Sequence, residues 1–302
     1  MVVGSLNADL VQRVERFPRP GETIVASDLT IIPGGKGANQ AYAAGLLGAS
    51  VKMVGQVGND PFGPMLIENL QKANVDTRRV RVSETATGTA AILVLSSGEN
   101  VIIISPGANG RLTPEVLAGR LDAIESGSVV LAQLEVPLVT TKMVLETARK
   151  RGATTILDPA PAQELPGEVL ELVDFLTPNQ TEAALLLQSS REIESYEEAE
   201  QAAKSLLGRG PWTVVLKIGQ LGVVIASPQG VERVPSFPVR PVDSTAAGDT
   251  FNGAFAAALT EGKPVVEAAR FANAAAAISV TRHGAQSSIP ERAEVDELLR
   301  KA

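Results

Sequence analysis

Short apolar runs rich in β-branched residues alternate with longer segments rich in Ala and Leu along this chain of 302 residues. The short runs are typical of buried strands, and the longer segments are typical of helices. Nearly continuous apolar strands separated by helices favour an α/β fold, with a mostly parallel sheet covered on both faces. The predicted strands are 1–6, 51–57, 128–134, 154–158, 175–177 and 213–218. The predicted helices are 38–47, 62–73, 137–151, 166–173, 181–187, 196–208, 247–260, 265–281 and 291–300.

Two stretches, 17–33 and 85–106, interrupt this alternation. In the second, apolar runs at 90–95 and 101–104 flank a Gly-containing loop at 96–100, and this pattern predicts a β-hairpin. The first contains extended segments at 23–25 and 29–32. Together the two stretches predict a small separate sheet, which would close over a site or pair with a second subunit. The alternative is an extension of the main sheet.

Composition and charge exclude several classes of protein. The 34 Asp and Glu residues outnumber the 27 Lys and Arg residues, and the resulting net charge of −7 disfavours binding to nucleic acid or to an anionic membrane. The absence of Cys excludes disulfides and thiolate metal sites, and the one histidine, His283, is expected in an exposed loop. No apolar run reaches the roughly 18 residues of a membrane span, and no secretory signal is visible. We therefore expect a cytoplasmic protein.

A glycine-rich segment, PGGKGANQ at 33–40, directly precedes a predicted helix. Its glycines allow the backbone to approach a ligand closely, and the start of the helix offers free N–H groups. The segment is not a Walker A loop, because Gly37 stands where Ser or Thr would follow Lys36. The alternative is a glycine-rich turn that only precedes a helix cap.

A second segment, DSTAAGDTF at 243–251, leads from small residues into an apolar helix. The N–H groups of Ala246, Ala247 and Gly248 are expected to form an anion hole at the positive end of that helix. Asp249 would lie beside this hole and accept a proton from a hydroxyl group, as phosphoryl transfer to an alcohol requires. The alternative is that Asp249 only caps the helix.

Two further segments follow predicted strands. Asn179 and Glu182 stand three residues apart at a helix start, where their oxygen atoms suit Mg²⁺ held through water. The same pattern also fits a capping box. The segment KIGQLG at 217–222 would contact the phosphates and ribose of a nucleotide, or it forms an ordinary hairpin turn.

Polar residues also follow other strands. Asn7 and Asp9 come after the first predicted strand, and Glu135 comes after the strand at 128–134. Such side chains, gathered at one edge of a sheet, suit hydrogen bonding to a polyhydroxylated ligand. For Asn7 and Asp9, ordinary turn chemistry is the alternative.

Taken in order, these segments resemble the ribokinase family of carbohydrate kinases. GGKGANQ at 34–40 resembles the family's N-terminal signature, DSTAAGDTF at 243–251 resembles its C-terminal signature, and NQTE at 179–182 matches its Asn-x-x-Glu motif. The resemblance runs from residue 4 to residue 290. It implies a three-layer α/β/α fold with a central, mostly parallel sheet, forming a single domain over 1–302 with a β-sheet lid at about 10–33 and 85–106.

The resemblance implies transfer of the γ-phosphoryl group of ATP to the primary hydroxyl of a sugar. It makes Asp249 the general base and assigns the anion hole to Ala246, Ala247 and Gly248. It implies sugar binding by Asn7, Asp9, Gly35, Lys36, Gly37, Asn39, Glu135 and Asp249. It implies ATP binding by Asn179, Lys217, Ile218, Gly219, Gln220, Leu221, Gly222, Gly248 and Asn273. It implies Mg²⁺ held through water by Glu182, and an activating monovalent cation such as K⁺ at Asp243, Thr245, Ser279, Arg282, Gly284 and Ser288.

The segments at 7–9 and 34–41 resemble the branch of the family that phosphorylates D-ribose at its 5-hydroxyl more than the fructokinase or adenosine kinase branches. The alternatives are a kinase for another pentose or a nucleoside, such as deoxyribose or pseudouridine, and a non-catalytic sugar sensor on the same fold. Lys217 is charged where the family commonly has a small polar residue, so it either contacts phosphate or points to solvent. Pairing of two lids implies a homodimer.

Overall fold

The computed structural model describes residues 1–95, 97 and 99–301, so the predicted hairpin loop at 96–100 lies partly outside the described residues. The strands are β1 (Val2–Val3), β2 (Asn7–Val14), β3 (Thr30–Gly34), β4 (Val51–Gly58), β5 (Val75–Ser83), β6 (Gly88–Leu95), β7 (Asn100–Ser105), β8 (Val129–Ala132), β9 (Thr154–Leu157), β10 (Phe175–Leu176), β11 (Thr213–Lys217), β12 (Gly222–Ser227) and β13 (Gly230–Pro235). The helices are α1 (Lys36–Leu46), α2 (Phe62–Lys72), α3 (Pro114–Leu117), α4 (Leu138–Lys150), α5 (Gly167–Leu170), α6 (Gln180–Leu186), α7 (Tyr196–Leu207), α8 (Ala247–Thr260), α9 (Val265–Ser279) and α10 (Arg292–Lys301).

The central sheet has the strand order β13-β12-β11-β10-β9-β8-β1-β4-β5. The strands from β11 to β5 pair in parallel, and β12 and β13 add an antiparallel edge. Alternate residues of the buried strand β8 contact different helical layers. Leu131 packs with residues of α1, α8 and α9, whereas Val130 and Ala132 pack with residues of α4 and α5–α7. The predicted α/β fold with helices on both faces is therefore confirmed.

A second sheet has the strand order β3-β2-β6-β7. Strands β6 and β7 pair antiparallel, with Ile92 opposite Ile102, so the predicted hairpin is confirmed. The alternative, an extension of the main sheet, is wrong. The predicted first strand was too long, because β1 ends at Val3 and the chain crosses to the second sheet, where β2 begins at Asn7. The segment 23–25 forms no strand, and β3 begins only at Thr30.

Helices α1 and α8 lie unusually close together because a glycine stands at their contact. A Cβ at Gly253 would lie 2.6 Å from the Ala43 Cβ and 2.6 Å from the Gln40 carbonyl oxygen, and both distances are too short for non-bonded heavy atoms. The absence of that Cβ brings the first turn of α1, which carries Asn39 and Gln40, beside the first turn of α8, which carries Asp249.

Candidate active site

The carboxyl ends of the parallel strands bring the predicted polar residues to one edge of the central sheet, where open α/β sheets bind their ligands. Glu135 follows β8, Asp158 follows β9, Asn179 follows β10, and Lys217 ends β11. A cavity of about 1100 Å³ lies beside this edge, and its lining includes Asp158, Asn179, Lys217 and Asp249.

Asp249 lies in the first turn of α8, and its side chain is buried, with 6% of the residue exposed. Its Oδ2 accepts a hydrogen bond of 2.9 Å from the Asn39 Nδ2, and its Oδ1 accepts one of 2.9 Å from the Gln40 Nε2. The residue at the helix cap is Ala246, without a side-chain hydrogen bond, so the alternative that Asp249 only caps the helix is wrong. The carboxylate instead has a fixed orientation at the wall of the cavity.

The turn at the start of α8 contains the residues predicted to form an anion hole. Ala246 adopts a left-handed conformation with φ of 57°, which is uncommon for a residue with a Cβ. The Ala247 N–H donates to the Ser244 carbonyl oxygen at 3.2 Å and closes the turn. Within the described part of the chain, the N–H groups of Ala246 and Gly248 have no acceptor, and both residues line the cavity.

Lys217 points into this turn. Its Nζ lies 3.1 Å from Asp158 Oδ1, and a Cβ at Gly248 would lie 3.6 Å from the same Nζ. The side chains of Lys217 and Asp158 are only 12% and 3% exposed, so the alternative that Lys217 points to solvent is wrong. Asp158 Oδ2 also accepts from the Gln40 Nε2 at 2.8 Å. One carboxamide therefore joins Asp249 to the buried ion pair.

The predicted sugar-binding residues converge between the second sheet and the start of α1. Gly35 has φ of 88°, and a Cβ there would lie 2.7 Å from the Asn7 backbone nitrogen, so only glycine fits. Asn7 is buried, and Glu135 accepts hydrogen bonds from Ser5 Oγ and from the Lys36 N–H, the latter at 3.0 Å. Gly37 packs against the Ser5 backbone, where a Cβ would lie 2.6 Å from its nitrogen.

Carboxylates dominate the electrostatics of this region. Burial, reinforced by the negative charges of Glu135 and Asp249, raises the pKa of the half-buried Asp9 to about 7. Burial alone would lower the pKa of the Lys36 ammonium. The nearby carboxylates, Asp249 first among them, outweigh burial and raise this pKa above its usual value. Lys36 therefore stays charged among the acids of the site.

Asn179 and Glu182 form a reciprocal capping box at the start of α6, so that interpretation is confirmed. The Asn179 Oδ1 accepts from the Glu182 N–H at 2.8 Å, and Glu182 Oε2 accepts from the Asn179 N–H at 2.7 Å. The cap does not remove Glu182 from the site, because it still lines the cavity. Burial raises the pKa of its carboxyl, Lys217 opposes this shift, and Asp158 reinforces it.

The segment 217–222 joins the antiparallel strands β11 and β12, so it is a hairpin turn as well as part of the cavity. Lys217, Gly219, Gln220 and Gly222 line the cavity. The Ile218 side chain instead packs in the core. Leu221, also predicted to bind the nucleotide, lies outside the cavity lining. Asn273 lies within the lining, and its Nδ2 donates to the carbonyl oxygens of Val234 and Pro235 at 3.0 and 3.1 Å.

The residues predicted to bind a monovalent cation lie in the loop before α8 and in the segment from the end of α9 to residue 288, and the Asp243 carboxylate joins these two parts of the chain. Its Oδ1 accepts from the Thr245 N–H and its Oδ2 from the Gly284 N–H, both at 2.9 Å. Burial raises the pKa of Asp243, but the N–H groups outweigh burial and lower it below its usual value. The Arg282 side chain pairs with Glu294. The remaining two predicted ligands are buried, and their hydroxyl groups donate to helical and turn carbonyl oxygens: Ser279 to Ala276 and Ser288 to Ala285.

The His283 side chain is 73% exposed, so its predicted place in an exposed loop is confirmed.

Several buried polar residues of the site were not among the predicted site residues. Gln40, Gln133, Asp158 and Gln286 hold the Asp249 carboxylate and the Lys217 ammonium through hydrogen bonds, directly or through another amide. Asn109 bonds to both backbone groups of Leu6 and, at 2.7 Å, to the Asn7 Oδ1. The sequence contained a weak signal for only two of them: Gln40 ends the glycine-rich segment, and Asp158 ends a predicted apolar strand.

Comparison with known proteins agrees with this geometry. The family model of the pfkB family carbohydrate kinases matches residues 1–292. The ribokinase of Haemophilus influenzae is 42% identical over 302 residues, which cover 100% of this chain and 98% of that protein. The chain belongs to the pfkB family of carbohydrate kinases, enzymes that transfer a phosphoryl group to a sugar hydroxyl, and the resemblance seen in its motifs is confirmed.

Solved structures give the same result. The structure of Thermotoga maritima ribokinase has a TM-score of 0.90 and 41% identity, and the match covers 99% of this chain and 98% of that one. Arabidopsis thaliana ribokinase, complexed with ribose and ATP, has a TM-score of 0.92 and 36% identity, with 99% and 97% covered. A deoxyribokinase of Salmonella typhi is 36% identical over 300 residues, covering 99% of this chain and 97% of that protein.

In the part of the chain that the structure describes, no helix combines the length and the apolar character needed to cross a bilayer.

Proposed function

We propose that this protein is a ribokinase, which transfers the γ-phosphoryl group of ATP to the 5-hydroxyl of D-ribose and gives ribose 5-phosphate and ADP. The observation that carries this proposal is the position of Asp249. Its buried carboxylate lies in the same helical turn as the anion hole, and it is bonded to Asn39 of the glycine-rich segment on the sugar side. The likeness to ribokinases, including one complexed with ribose and ATP, supports the choice of substrate.

The reaction begins with in-line attack of the sugar hydroxyl on the γ-phosphorus atom. Asp249 accepts the hydroxyl proton late in this step, while Asn39 and Gln40 hold both of its carboxylate oxygens in place. Negative charge that spreads over the transferring group is stabilised by the free N–H groups of Ala246 and Gly248. The ammonium groups of Lys36 and Lys217 face the same space and add to this stabilisation.

The second sheet, β3-β2-β6-β7, would act as the lid sheet, and the sugar would lie between it and the central sheet. Asn7 and Asp9 lie at the start of strand β2 of the second sheet, whereas Glu135 and the backbone of Gly35 and Lys36 belong to the central part of the fold. Polar groups from both sides suit a ligand with several hydroxyl groups, in keeping with the other proposed sugar contacts, Gly37 and Asn39. Closure of the lid, which we place at about 10–33 and 85–106, would exclude water from the phosphoryl group.

ATP would occupy the cavity along Asn179, the turn at 217–222, Gly248 and Asn273. Mg²⁺ would be held by the ATP phosphates and, through water, by Glu182. The chemistry of the site fits this ion, because Glu182 is a carboxylate at the cavity wall and oxygen ligands suit Mg²⁺. When bound, the ion would neutralise phosphate charge.

A monovalent cation such as K⁺ would bind at the two parts of the chain joined by Asp243. The donor set fits such an ion, since it combines one carboxylate with backbone carbonyl groups of Thr245, Ser279, Arg282, Gly284 and Ser288. The ion would hold the loop that leads into the anion hole, because Thr245 directly precedes Ala246.

We further propose a cytoplasmic homodimer that forms through the lid sheet. Strand β7 lies at the edge of that sheet and is exposed along its whole length. It carries four successive apolar residues, of which Ile102 and Ile103 are 52% and 64% exposed. An exposed apolar edge strand favours pairing with another chain, and a second copy offers the same edge.

The proposed function is tested by measuring ADP formation from ATP with a panel of sugars. We expect D-ribose to give the highest kcat/KM, ahead of deoxyribose and pseudouridine. Asp249→Asn should lower kcat by about 10²- to 10⁴-fold while ribose binding, measured by calorimetry, persists. Asp76→Asn, which changes a carboxylate paired with Arg78 outside the cavity, is the matched control and should leave kcat unchanged.

Two results would contradict the proposal. A higher kcat/KM with deoxyribose or a nucleoside would make the chain a kinase for that substrate. Ribose binding without any ATP consumption would favour a sugar sensor.

A further inference from the structure

Three carboxamide side chains from different parts of the sequence form a continuous line of hydrogen bonds that ends on Asp249. The Asn69 Nδ2, on α2, donates to the Gln286 Oε1 at 2.5 Å. The Gln286 Nε2 donates to the Asn39 Oδ1 at 3.0 Å, and the Asn39 Nδ2 donates to Asp249 Oδ2 at 2.9 Å. Gln286, Asn39 and Asp249 are all buried, so water does not compete for these bonds.

The line has a direction. A carboxamide has an acceptor oxygen and a donor NH₂ group, and both Gln286 and Asn39 use the oxygen toward Asn69 and the NH₂ group toward Asp249. The direction matters most at Asn39, because a turned amide would present its oxygen to the Asp249 carboxylate and repel it. The Gln286 NH₂ group prevents this, since it requires an acceptor on its side of Asn39.

We propose that Gln286 is a positioning residue for phosphoryl transfer, which acts through Asn39 to fix the orientation of the Asp249 carboxylate. This inference rests on the proposed function only in taking Asp249 as the base. Gln286 acts at one remove from the reacting atoms, because its side chain bonds to Asn39 and Asn69 and not to Asp249. Its effect reaches them through the direction of one amide group.

Gln286 also connects the base to the two parts of the chain joined by Asp243. It stands two residues after Gly284, whose N–H donates to the Asp243 carboxylate. The segment that holds Asn39 in place is therefore fixed by the same carboxylate that fixes the turn before the anion hole. Movement of this segment would disturb the base and the anion hole together.

The proposal is tested by reversing or removing the polarity of residue 286. Gln286→Glu keeps the size of the side chain, and in its ionised form it offers only acceptors to Asn39, so the Asn39 amide should turn and place its oxygen against Asp249. We expect kcat to fall about 100-fold, and the acid limb of the kcat/KM pH profile to move up by about one unit, because the turned amide disfavours the charged carboxylate. Gln286→Met removes both the donor and the acceptor of the carboxamide. It should lower kcat about tenfold and displace the acid limb of the pH profile by less than Gln286→Glu does.

The charged groups around this line stay unchanged in both variants. Lys36, Asp9 and, through Gln40, Asp158 interact with Asp249. On the other side, Arg282, Glu291 and Glu294 line a small cavity with Gln286.

Gln71→Glu is the matched control, because Gln71 on α2 also donates to a side chain, that of Thr77, but has no connection to Asp249.

A reduced kcat with a displaced acid limb in Gln286→Glu, and an unchanged profile in Gln71→Glu, supports the proposal. A wild-type kcat in Gln286→Glu, or a loss of kcat without any displacement in either 286 variant, overturns it. If Gln286→Glu does not fold, as judged by circular dichroism, the displacement in Gln286→Met alone decides. The profile is measured with the best sugar of the panel, so that failure with ribose rejects the proposed substrate and leaves this comparison intact.

Discussion

Removing the charge of Lys217 is the most direct way to test the phosphate side of the site. We expect Lys217→Met, which keeps the aliphatic chain and loses the ammonium group, to lower kcat by about 10²- to 10³-fold. KM for ATP should change far less than kcat, because the charge that Lys217 offsets grows as the phosphoryl group leaves ADP. The reasoning depends on the approach of the Lys217 Nζ to the turn that holds Gly248.

The magnitude follows from two distances. A Cβ at Gly248 would lie 3.6 Å from the Nζ, so a phosphoryl oxygen bound at that turn would lie about 4 Å away. Two unit charges at about 4 Å interact by about 4 kcal/mol at an effective dielectric constant of about 20. Asp158, 3.1 Å from the same Nζ, offsets part of this attraction. About 3 kcal/mol then remains, which corresponds to about 10²-fold in rate.

Asp158 supplies the second half of this experiment. In Lys217→Met, the Asp158 carboxylate stays buried without its cation, which should lower the free energy of unfolding by about 3–5 kcal/mol. The double variant Lys217→Met with Asp158→Asn removes that charge, so it should regain most of the stability and part of kcat. Urea unfolding followed by circular dichroism and steady-state kinetics measure the two effects, with Lys142→Met as a surface control. A kcat within about twofold of wild type in Lys217→Met would refute the reasoning.

Three further predictions concern other parts of the molecule. Asp9 has a pKa of about 7 in the folded protein against a usual 3.8, so folding takes up a proton between these values and the free energy of unfolding should fall as pH rises from 4 to 7. Asp9→Asn should weaken this decline in urea titrations, and an equally steep decline would contradict the shift. Replacing K⁺ by a large organic cation should lower kcat of the wild type but not of Asp243→Ala; equal rates in both salts would remove the cation site. Ile103→Lys should convert the proposed dimer to a monomer in light scattering, and an unchanged mass would exclude an interface through β7.

The sequence predicts most accurately those elements whose pattern is set by their own residues. The bounds of α8, 247–260, were predicted without error, because fourteen mostly apolar and small residues follow a polar turn and end before Glu261 and Gly262. The capping box of Asn179 and Glu182 is equally local. By contrast, β5 was not predicted, since its sequence VDTRRVRVS has charged residues at many positions, as an edge strand tolerates.

The parts of the site that could not be predicted are those that depend on distant partners. Gln40 and Asp158 stand 118 residues apart, Asp158 and Lys217 stand 59 apart, and Asn39 and Gln286 stand 247 apart. A polar residue in an apolar segment shows that some partner exists, but nothing local identifies it. The motifs could therefore indicate the proposed base and anion hole, while the side chains that orient them come together only when segments distant in sequence pack against one another.

The use of carboxamides around Asp249 has a chemical consequence. A cation hydrogen-bonded to a carboxylate makes it a weaker base, whereas a neutral amide orients it with a smaller effect on basicity. Among the described residues, the side-chain donors to Asp249 are Asn39 and Gln40, and the nearest ammonium groups act at longer range. Because Gln40 bonds to both Asp249 and Asp158, the base and the Lys217 ammonium are held at one fixed separation. A base that must take a proton while phosphoryl charge develops beside it benefits from that arrangement, since orientation is secured without neutralising the group that has to react.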